Sequence, residues 1–189
     1  MINKIFSIFY IISLLILTMN CKNKTANLND ADLENRINNT LEINYETFSL
    51  IIDSIKLDFP HFPTNNIWDN TIFDPILDTE IKMNYKTIIT DASKEIPNFD
   101  GKYRIVEFGY GSGAQYFFII DLNNGNVYEG KPSIFGIKYK LESSLIIIND
   151  PEKILEYWSG WEETIPSWTS MEYLLWQDNQ FKNLLIVNP

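Results

Sequence analysis

"KYRIVEFGYGSGAQYFFIIDLNNGNVYEG", residues 102–130, alternates β-branched and aromatic residues with polar ones on both sides of a glycine-rich corner. This alternation predicts two β-strands, because successive side chains of a strand point to opposite faces of a sheet. Asn124-Gly125 predicts a tight hairpin turn into a third strand. Strands that follow one another through short turns pair in antiparallel fashion, so the stretch predicts an antiparallel sheet.

The corner glycines Gly109, Gly111 and Gly113 do not match a nucleotide-binding motif. A P-loop needs a lysine and a following helix whose amides face the phosphates, whereas the strand-like segment 115–121 follows this corner. The dinucleotide-binding fingerprint fails too, because the third glycine comes one residue early. We therefore interpret the glycines as a structural corner that permits positive φ and close backbone approach.

Four further strands are predicted after this stretch by short runs rich in β-branched and aromatic residues: IKYKL, SLIIIN, MEYLLWQ and FKNLLIV. "DNQ" at 178–180 predicts the last hairpin turn. A short helix is predicted from Pro151 to Trp158, ending before Gly160.

The N-terminal half shows helical periodicity instead. Apolar residues three or four apart predict one helix between Asp30 and Leu57, ended by Pro60, and a second between Asp74 and Lys94. The sequence thus predicts an α+β fold, in which two N-terminal helices pack against one face of an antiparallel β-meander.

The N-terminus has the pattern of an export signal. Lys4 precedes the apolar run 5–19, which is shorter than the roughly 20 residues of a membrane-spanning helix. Cys21, the only cysteine, follows this run, so the chain can form no intramolecular disulfide and no multi-thiolate metal site. We expect a lipoprotein signal peptide over 1–20, lipidation of Cys21, a flexible tether over 21–30 and a single domain over 31–189. A plain secretory peptide and an uncleaved anchor are the alternatives.

The charge of the chain restricts its partners. Lysine and arginine total 15 against 25 acidic residues, which gives a net charge of −10. Such a surface is repelled by nucleic acid and by anionic lipid headgroups. We therefore predict no nucleic-acid partner, and attachment to a bacterial membrane through the N-terminal lipid, facing the periplasm or the cell surface.

The segment 97–184 resembles a widespread family of exported bacterial proteins without an assigned activity. The family pattern runs N-F-x-G-x-Y, W-G-C-G-T-x-C-Q, I-D-x-x-T-G-x-V-Y and Y-R-x-D-S, and it ends on Y-x-W-x-x-x-x-F. In this sequence it is matched by Asn98, Phe99, Gly101, Tyr103, Gly109, Gly111, Gln115, Asp121, Gly125, Tyr139, Ser143, Leu145, Trp176 and Phe181. Phe108 replaces the family tryptophan, and Tyr110 and Ala114 replace its two cysteines. The resemblance implies export and a shared fold, with a corner that holds without a disulfide.

Few residues offer catalytic chemistry. A nucleophile normally needs an adjacent base, and the only histidine is His61, in the loop "FPHFP". Alternation places Glu107 on the core-directed face beside the corner, near Ser112 and Gln115. Glu107 is either a perturbed acid or base, or a structural carboxylate paired with Lys102, Arg104 or a lysine of a neighbouring strand. We assign no catalytic residue from this pattern.

No metal site or cofactor is predicted. "DLNNGN" at 121–126 offers calcium-type oxygens but lacks the later bidentate glutamate of an EF-hand. A hairpin turn explains this segment more simply.

Three tryptophans, Trp158, Trp161 and Trp168, cluster in the stretch "YWSGWEETIPSW". Tryptophans in a polar stretch broken by glycine and proline suit a binding face for an envelope protein or a glycan, and they equally suit a cap on the core. The sequence predicts a lipid-anchored envelope protein that acts as a non-catalytic binding or structural module. The alternatives are a small envelope hydrolase centred on Glu107, and an inhibitor or immunity-type protein that blocks a basic enzyme.

Overall fold

The computed structural model describes residues 43–109, 111, 113–160 and 164–189. These residues belong to one compact unit that spans 42–189. The predicted signal peptide, Cys21 and tether lie outside the described residues, as do Tyr110, Ser112 and Trp161. No helix in the described ranges has the length and apolar character needed to cross a membrane.

Four α-helices and seven strands make up the described fold. The helices are α1 (Tyr45–Ser54), α2 (Glu80–Asn84), α3 (Lys86–Ala92) and α4 (Pro151–Trp158). The strands are β1 (Tyr103–Gly109), β2 (Gln115–Asp121), β3 (Val127–Glu129), β4 (Ile137–Tyr139), β5 (Leu145–Ile148), β6 (Met171–Gln177) and β7 (Gln180–Val187). Two single-turn 3₁₀ helices cover Phe59–His61 and Ser167–Thr169.

The strands form two antiparallel sheets rather than one meander. One sheet has the order β1-β2-β3 and the other has the order β4-β5-β6-β7. The antiparallel pairing and the mixed α+β composition confirm the predicted class, while the chain changes sheet between β3 and β4. Strand β2 is buried on both faces, with Phe117 and Ile119 on one face and Phe118 and Ile120 on the other. A single sheet with helices on only one face would leave one of these apolar rows exposed to water.

Three apolar clusters lie in successive layers. The middle cluster lies between the two sheets and contains Ile105 and Ile119 from one sheet and Ile146 and Trp176 from the other. Helices α1 and α4 cover the outer face of the four-stranded sheet. Helix α3 covers the outer face of the three-stranded sheet. The prediction that both N-terminal helical regions pack on one face is therefore wrong, because each sheet has an apolar outer face of its own to bury.

Local signals explain the element boundaries that the prediction missed. The predicted helix from Asp74 instead begins at Glu80, where the Thr79 hydroxyl accepts from the Lys82 N–H as an N-cap. Residues 74–78 belong to no helix or strand, and the Ile76 N–H donates to the Gly125 carbonyl at 2.8 Å. At Tyr85 the backbone departs from helical geometry, with φ −106° and ψ 20°, and this separates α2 from α3.

Both predicted hairpins are confirmed. Gly125, at φ +78°, lies in the turn between β2 and β3. Asp178 and Asn179 both adopt left-handed φ and close the hairpin of β6 and β7.

Candidate functional site

Most of the described candidate residues come together at one end of the sandwich. Four segments meet there: the corner after β1, the start of β2, the loop 134–136 before β4, and helix α4. We name this region the corner end. It consists of a polar cluster, Glu107, Gln115, Tyr139 and Lys153 around Gly136, and an aromatic patch, Phe135, Tyr157 and Trp168.

The polar cluster surrounds the backbone of Gly136. Register pairs Glu107 with Phe117, so Glu107 and Gln115 lie on the same sheet face, as the alternation predicts. A Cβ placed on Gly136 would lie 3.0 Å from Lys153 Nζ, 3.1 Å from Gln115 Oε1 and 3.8 Å from Glu107 Oε2. An ammonium, an amide oxygen and a carboxylate therefore converge on one small volume.

Partial burial raises the pKa of Glu107 above its usual range. The Ile137 N–H, the charge of Lys153 and the Tyr139 hydroxyl oppose this rise and offset part of it. The residue as a whole remains exposed, so water screens these interactions. Glu107 is thus a carboxylate that holds its proton to higher pH than a free glutamate does.

The cation beside Glu107 is not one of those predicted. Lys102 instead donates to Asp121 at 2.8 Å, and Arg104 pairs with Glu95. Arg104 is three residues from Glu107 on β1 and so points to the opposite face. The neighbour is Lys153 of α4, which strand alternation cannot identify because it comes from a helix far along the chain.

Tyr139 forms the inner wall of the polar cluster. Its hydroxyl accepts a long hydrogen bond from Asn98 Nδ2 at 3.4 Å. The Asn98 amide is itself fixed, because it accepts from the Ile105 N–H at 2.7 Å and donates to the Ile105 carbonyl at 2.9 Å. Burial, and then the charge of Glu107, raise the pKa of Tyr139, so this phenol stays a hydrogen-bonding neutral group.

The aromatic patch adjoins the polar cluster. Trp168 stacks on Phe135 with ring centroids 6.1 Å apart and planes 5° apart. Tyr157 meets the same ring edge-on at 5.5 Å. Trp168 is 48% exposed and Tyr157 55% exposed, so both present ring surface to solvent. Lys153 and Tyr157 are four residues apart on α4, which places the two parts of the corner end on one helix face.

The two described tryptophans of the predicted cluster lie side by side, with ring centroids 5.9 Å apart, but differ in exposure. Trp158 is only 6% exposed and belongs to the core under α4, so it cannot contact a partner. Trp168 is exposed and fits the predicted binding face. Trp161 lies outside the described residues, and its role stays a prediction.

The loop that carries Phe135 and Gly136 is held firmly. The Asn149 side chain accepts from the Ile134 N–H at 2.7 Å and from the Phe135 N–H at 3.0 Å. The Asn149 N–H donates to the Gly136 carbonyl at 2.9 Å. Such fixed backbone support keeps a surface in one arrangement before any partner arrives.

Acidic side chains border the aromatic patch. Glu152 and Glu156 are both exposed on α4. Lys138 lies 2.7 Å from Glu152 Oε1 and 3.7 Å from Asp150 Oδ1, so part of this charge is compensated. Glu156 adds a further negative charge on the turn that carries Tyr157.

The glycine corner differs from its prediction in two respects. Gly111 and Gly113 have positive φ, at +76° and +81°, as expected, whereas Gly109 is the last residue of β1 and does not have positive φ. The predicted close backbone approach is absent there: a Cβ at Gly109, Gly111 or Gly113 would meet nothing within 4 Å among the described atoms. The close approach occurs instead at Gly125, where such a Cβ would lie 2.3 Å from the Asp74 carbonyl oxygen.

A second feature lies at the opposite end of β6. It is a cleft of about 560 Å³ lined by the loop around His61, the turn at Asp100 and the hairpin at Asn179. The sequence did not predict this cleft, because it is built from segments that are far apart in the chain. His61 is exposed and lines the cleft, so the only histidine is not part of the corner end.

No protein-family model matches the chain, and neither a curated protein nor a solved structure is found to match it. Within the described ranges, no three His, Cys, Asp or Glu residues are grouped so as to hold a metal ion.

Proposed function

We propose that the protein is a lipid-anchored protein of the bacterial cell envelope that works as a non-catalytic binding module. Its binding face is the corner end, and its partner is a basic region of another envelope protein. The observation that carries this proposal is the exposed aromatic patch, with Glu156 exposed beside Tyr157 on α4. The resemblance of 97–184 to exported bacterial proteins supports the proposed location.

The chemistry of the corner end suits a basic protein surface. Trp168 and Tyr157 offer ring faces that attract lysine and arginine side chains, and Trp is the strongest of these platforms. Glu156 adds charge of the same attractive sign, whereas Glu152 is paired with Lys138. The net charge of −10 strengthens the approach of a basic partner. Large aromatic residues in partly buried positions are the commonest anchors of protein interfaces.

Substitution of Trp168 tests the binding face. Trp168→Ala should weaken capture of basic proteins from an envelope extract by about 2 kcal/mol or more, which is roughly thirtyfold. Raising the salt concentration from about 0.05 M to about 0.5 M should weaken capture by the wild type as well, because salt screens the charges involved. Binding is measured with the full chain in detergent.

Trp68→Ala is the matched control. This ring is partly buried against the α3 layer, and its N–H donates to the Thr71 carbonyl at 3.1 Å. Its loss should leave capture unchanged. Equal capture by the wild type and Trp168→Ala, or capture of neutral glycan instead of basic protein, would contradict the proposal.

Membrane attachment is proposed to run through a lipid on Cys21. In cells, Cys21→Ala should move the protein from the detergent-rich phase to the aqueous phase of a detergent partition, because a lipid chain supplies the apolar anchor. Unchanged partitioning, with the apolar leader still present, would instead favour an uncleaved anchor.

A hydrolase is the second candidate, and the polar cluster is the observation that favours it. A glutamate with a raised pKa beside an amide, a phenol and a lysine has the composition of a general-acid site. If the wild type cleaves a peptidoglycan or ester substrate while a stable Glu107→Gln variant does not, the hydrolase replaces the binding module. Loss of capture in Trp168→Ala without any substrate turnover supports the binding module.

A further inference from the structure

A long loop, residues 64–78, runs past the far end of β2 without forming a helix or a strand. Loops of this length are uncommon in compact domains and are usually either functional or disordered. Hydrogen bonds to the turn after β2 hold this loop in place. Asn123 Nδ2 donates to the Ile67 carbonyl at 2.9 Å, and Asn123 Oδ1 accepts from the Asp69 N–H at 3.2 Å. A fixed loop of this length favours a functional role.

The apolar side chains of this loop divide into two sets. Trp68 and Leu77 turn inward and pack against the apolar cluster under α3. The other set is exposed to solvent and consists of Ile67 at 80%, Ile72 at 64%, Ile76 at 47% and Phe73 at 40% exposed. The inward set anchors the loop on the core, which leaves the exposed set free to contact a partner.

Internal hydrogen bonds fold the first half of the loop back on itself. Trp68 Nε1 donates to the Thr71 carbonyl at 3.1 Å. The Thr71 N–H in turn donates to Asp69 Oδ1 at 2.9 Å. These two bonds close a tight turn over residues 68–71, and the residues on either side of it, Ile67 and Ile72, are brought toward each other.

The second half of the loop lies against the same turn of the sheet. The Ile76 N–H donates to the Gly125 carbonyl at 2.8 Å, and the Phe73 Cβ would lie 3.3 Å from a Cβ placed on Gly125. Gly125 is two residues from Asn123, which holds Ile67, so both halves of the loop meet around one turn. We name the exposed apolar surface there the loop patch; it consists of Ile67, Ile72, Phe73 and Ile76.

Two uncompensated acidic residues border the loop patch. Asp69 and Asp74 are exposed, and neither forms an ion pair within the described residues. Asp78 is paired with Lys82, so its charge is compensated. Between His61 and Lys82 the chain contains no lysine or arginine. The loop patch therefore combines apolar surface with negative charge.

This charge disfavours two of the occupants that an apolar patch can have. A second copy of the chain would bring the acidic residues of both copies together, and like charges across an interface oppose association. An anionic membrane surface repels the same residues. A protein segment that carries apolar side chains between lysines or arginines matches both features of the surface.

We propose that the loop patch docks a basic amphipathic segment of another protein. The apolar side chains of that segment cover the loop patch, and its cations lie beside Asp69 and Asp74. The surface is separate from the corner end: Gln115 begins β2 and Asp121 ends it, so the two lie about 20 Å apart at a rise of roughly 3.4 Å per residue. The proposal therefore does not depend on the binding function of the corner end.

The test uses the full chain in phosphatidylcholine vesicles and three labelled synthetic peptides. The first carries leucine and lysine at amphipathic spacing, the second replaces each lysine with glutamate, and the third replaces each leucine with serine. Fluorescence anisotropy, corrected with empty vesicles, should give the leucine–lysine peptide a Kd of about 100 μM or below. The other two should bind at least about tenfold more weakly, because each lacks one of the two attractions.

Serine variants test the apolar part of the surface. Ile72→Ser should weaken binding of the leucine–lysine peptide about tenfold, because it removes apolar area from the contact. Ile67→Ser is a second variant with the same expectation, and both positions are exposed enough that the melting temperature should change little. Ile96→Ser is the matched control: Ile96 is 68% exposed and lies outside the loop patch, so binding should be unchanged.

An asparagine variant tests the charge separately. Asp74→Asn should weaken binding about threefold in about 0.05 M salt, and this difference should disappear near about 0.5 M because salt screens the charges. Asp53→Asn is the matched control, since Asp53 is an exposed carboxylate on α1, which covers the other sheet. Its loss should leave binding unchanged.

The proposal is overturned if the leucine–lysine peptide fails to bind at about 1 mM, or if either comparison peptide binds as tightly. It is also overturned if Ile72→Ser, Ile67→Ser and Asp74→Asn all bind like the wild type. Loss of binding in Trp168→Ala but not in Ile72→Ser would place the peptide at the corner end instead. Sedimentation of dimers that Ile72→Ser dissociates would identify a second copy as the occupant and refute a basic partner.

Discussion

Replacing Gly136 with alanine perturbs the centre of the polar cluster. The new methyl group would lie 3.0 Å from Lys153 Nζ and 3.1 Å from Gln115 Oε1. Both atoms are the far ends of flexible side chains, so they can move away. The backbone at Gly136 has φ +71°, which disfavours any residue with a Cβ.

The expected cost combines three contributions. A left-handed backbone costs alanine about 1–2 kcal/mol, and the reduced freedom of the unfolded chain returns about 0.4–1 kcal/mol. Moving Lys153 away from Glu107 weakens an exposed charge–charge attraction worth about 0–1 kcal/mol. Gly136→Ala should therefore lower the free energy of unfolding by about 1–2 kcal/mol.

Two other glycines bracket this value. Gly111→Ala, at φ +76° with no described atom within 4 Å of its Cβ, has only the backbone contribution and should cost about 1 kcal/mol or less. Gly125→Ala has the same φ contribution and would meet the Asp74 carbonyl oxygen at 2.3 Å. A backbone atom cannot rotate away, so overpacking adds about 1–3 kcal/mol and the total reaches about 2–4 kcal/mol.

Urea unfolding of the three variants measures this order. The urea midpoint should be highest for Gly111→Ala, lower for Gly136→Ala and lowest for Gly125→Ala. The slope of the free energy of unfolding against urea concentration should be the same for all three. If Gly136→Ala costs as much as Gly125→Ala, Lys153 and Gln115 do not yield and the cluster is rigid. If Gly136→Ala lowers the stability and Gly111→Ala does not, the loss arises from the contacts with Lys153 and Gln115 rather than from the backbone conformation.

Three further variants follow from burial and charge. Burial holds the pKa of Glu107 above its ordinary value of 4.5, so its favourable contribution is full below that pH and is lost as pH rises through the folded pKa. Glu107→Gln should therefore gain stability relative to the wild type as pH rises above 4.5 in urea unfolding. A stability difference that does not change with pH would contradict this. Lys102→Met leaves the buried Asp121 carboxylate without its ammonium partner and should lower the free energy of unfolding by about 3 kcal/mol. A loss under about 1 kcal/mol in the same assay would show that the hydrogen bonds of the Asp121 turn stabilise the carboxylate without Lys102. Trp158→Ala should lower the free energy of unfolding by about 3–5 kcal/mol, because it leaves a cavity in the core. Trp168→Ala should lower it by about 2 kcal/mol or less, because Trp168 is half-exposed. Equal melting temperatures of the two variants would refute the assignment of Trp158 to the core.

Local patterns in the sequence were sufficient for the strands and their turns. The alternation of 102–130 and the residues Asn124-Gly125 predicted β1, β2 and the hairpin that follows. Alternation also placed Glu107 and Gln115 on one face of the sheet. These features depend on neighbours within a few residues, and the side-chain period and the turn conformation are properties of such short segments.

Burial of individual residues was less predictable. Trp158 and Trp168 are both tryptophans in one irregular stretch, yet one is core and the other is exposed. The difference arises because α4 directs Trp158 inward, against the cluster that contains Phe48 of α1. Likewise, Lys153 is the cation beside Glu107, and no spacing along the strands indicates it.

By itself, then, the sequence determined the α+β class, the antiparallel pairing, the two hairpins and the acidic charge that disfavours nucleic acid. Only the tertiary structure decided that the strands divide into two sheets, that helices cover both outer faces, and that the corner end and the cleft lie at opposite ends of β6. The physical reason is that strand and turn formation follows from local backbone preferences, whereas sheet division, helix placement and cleft formation follow from which apolar faces bury one another across long stretches of chain.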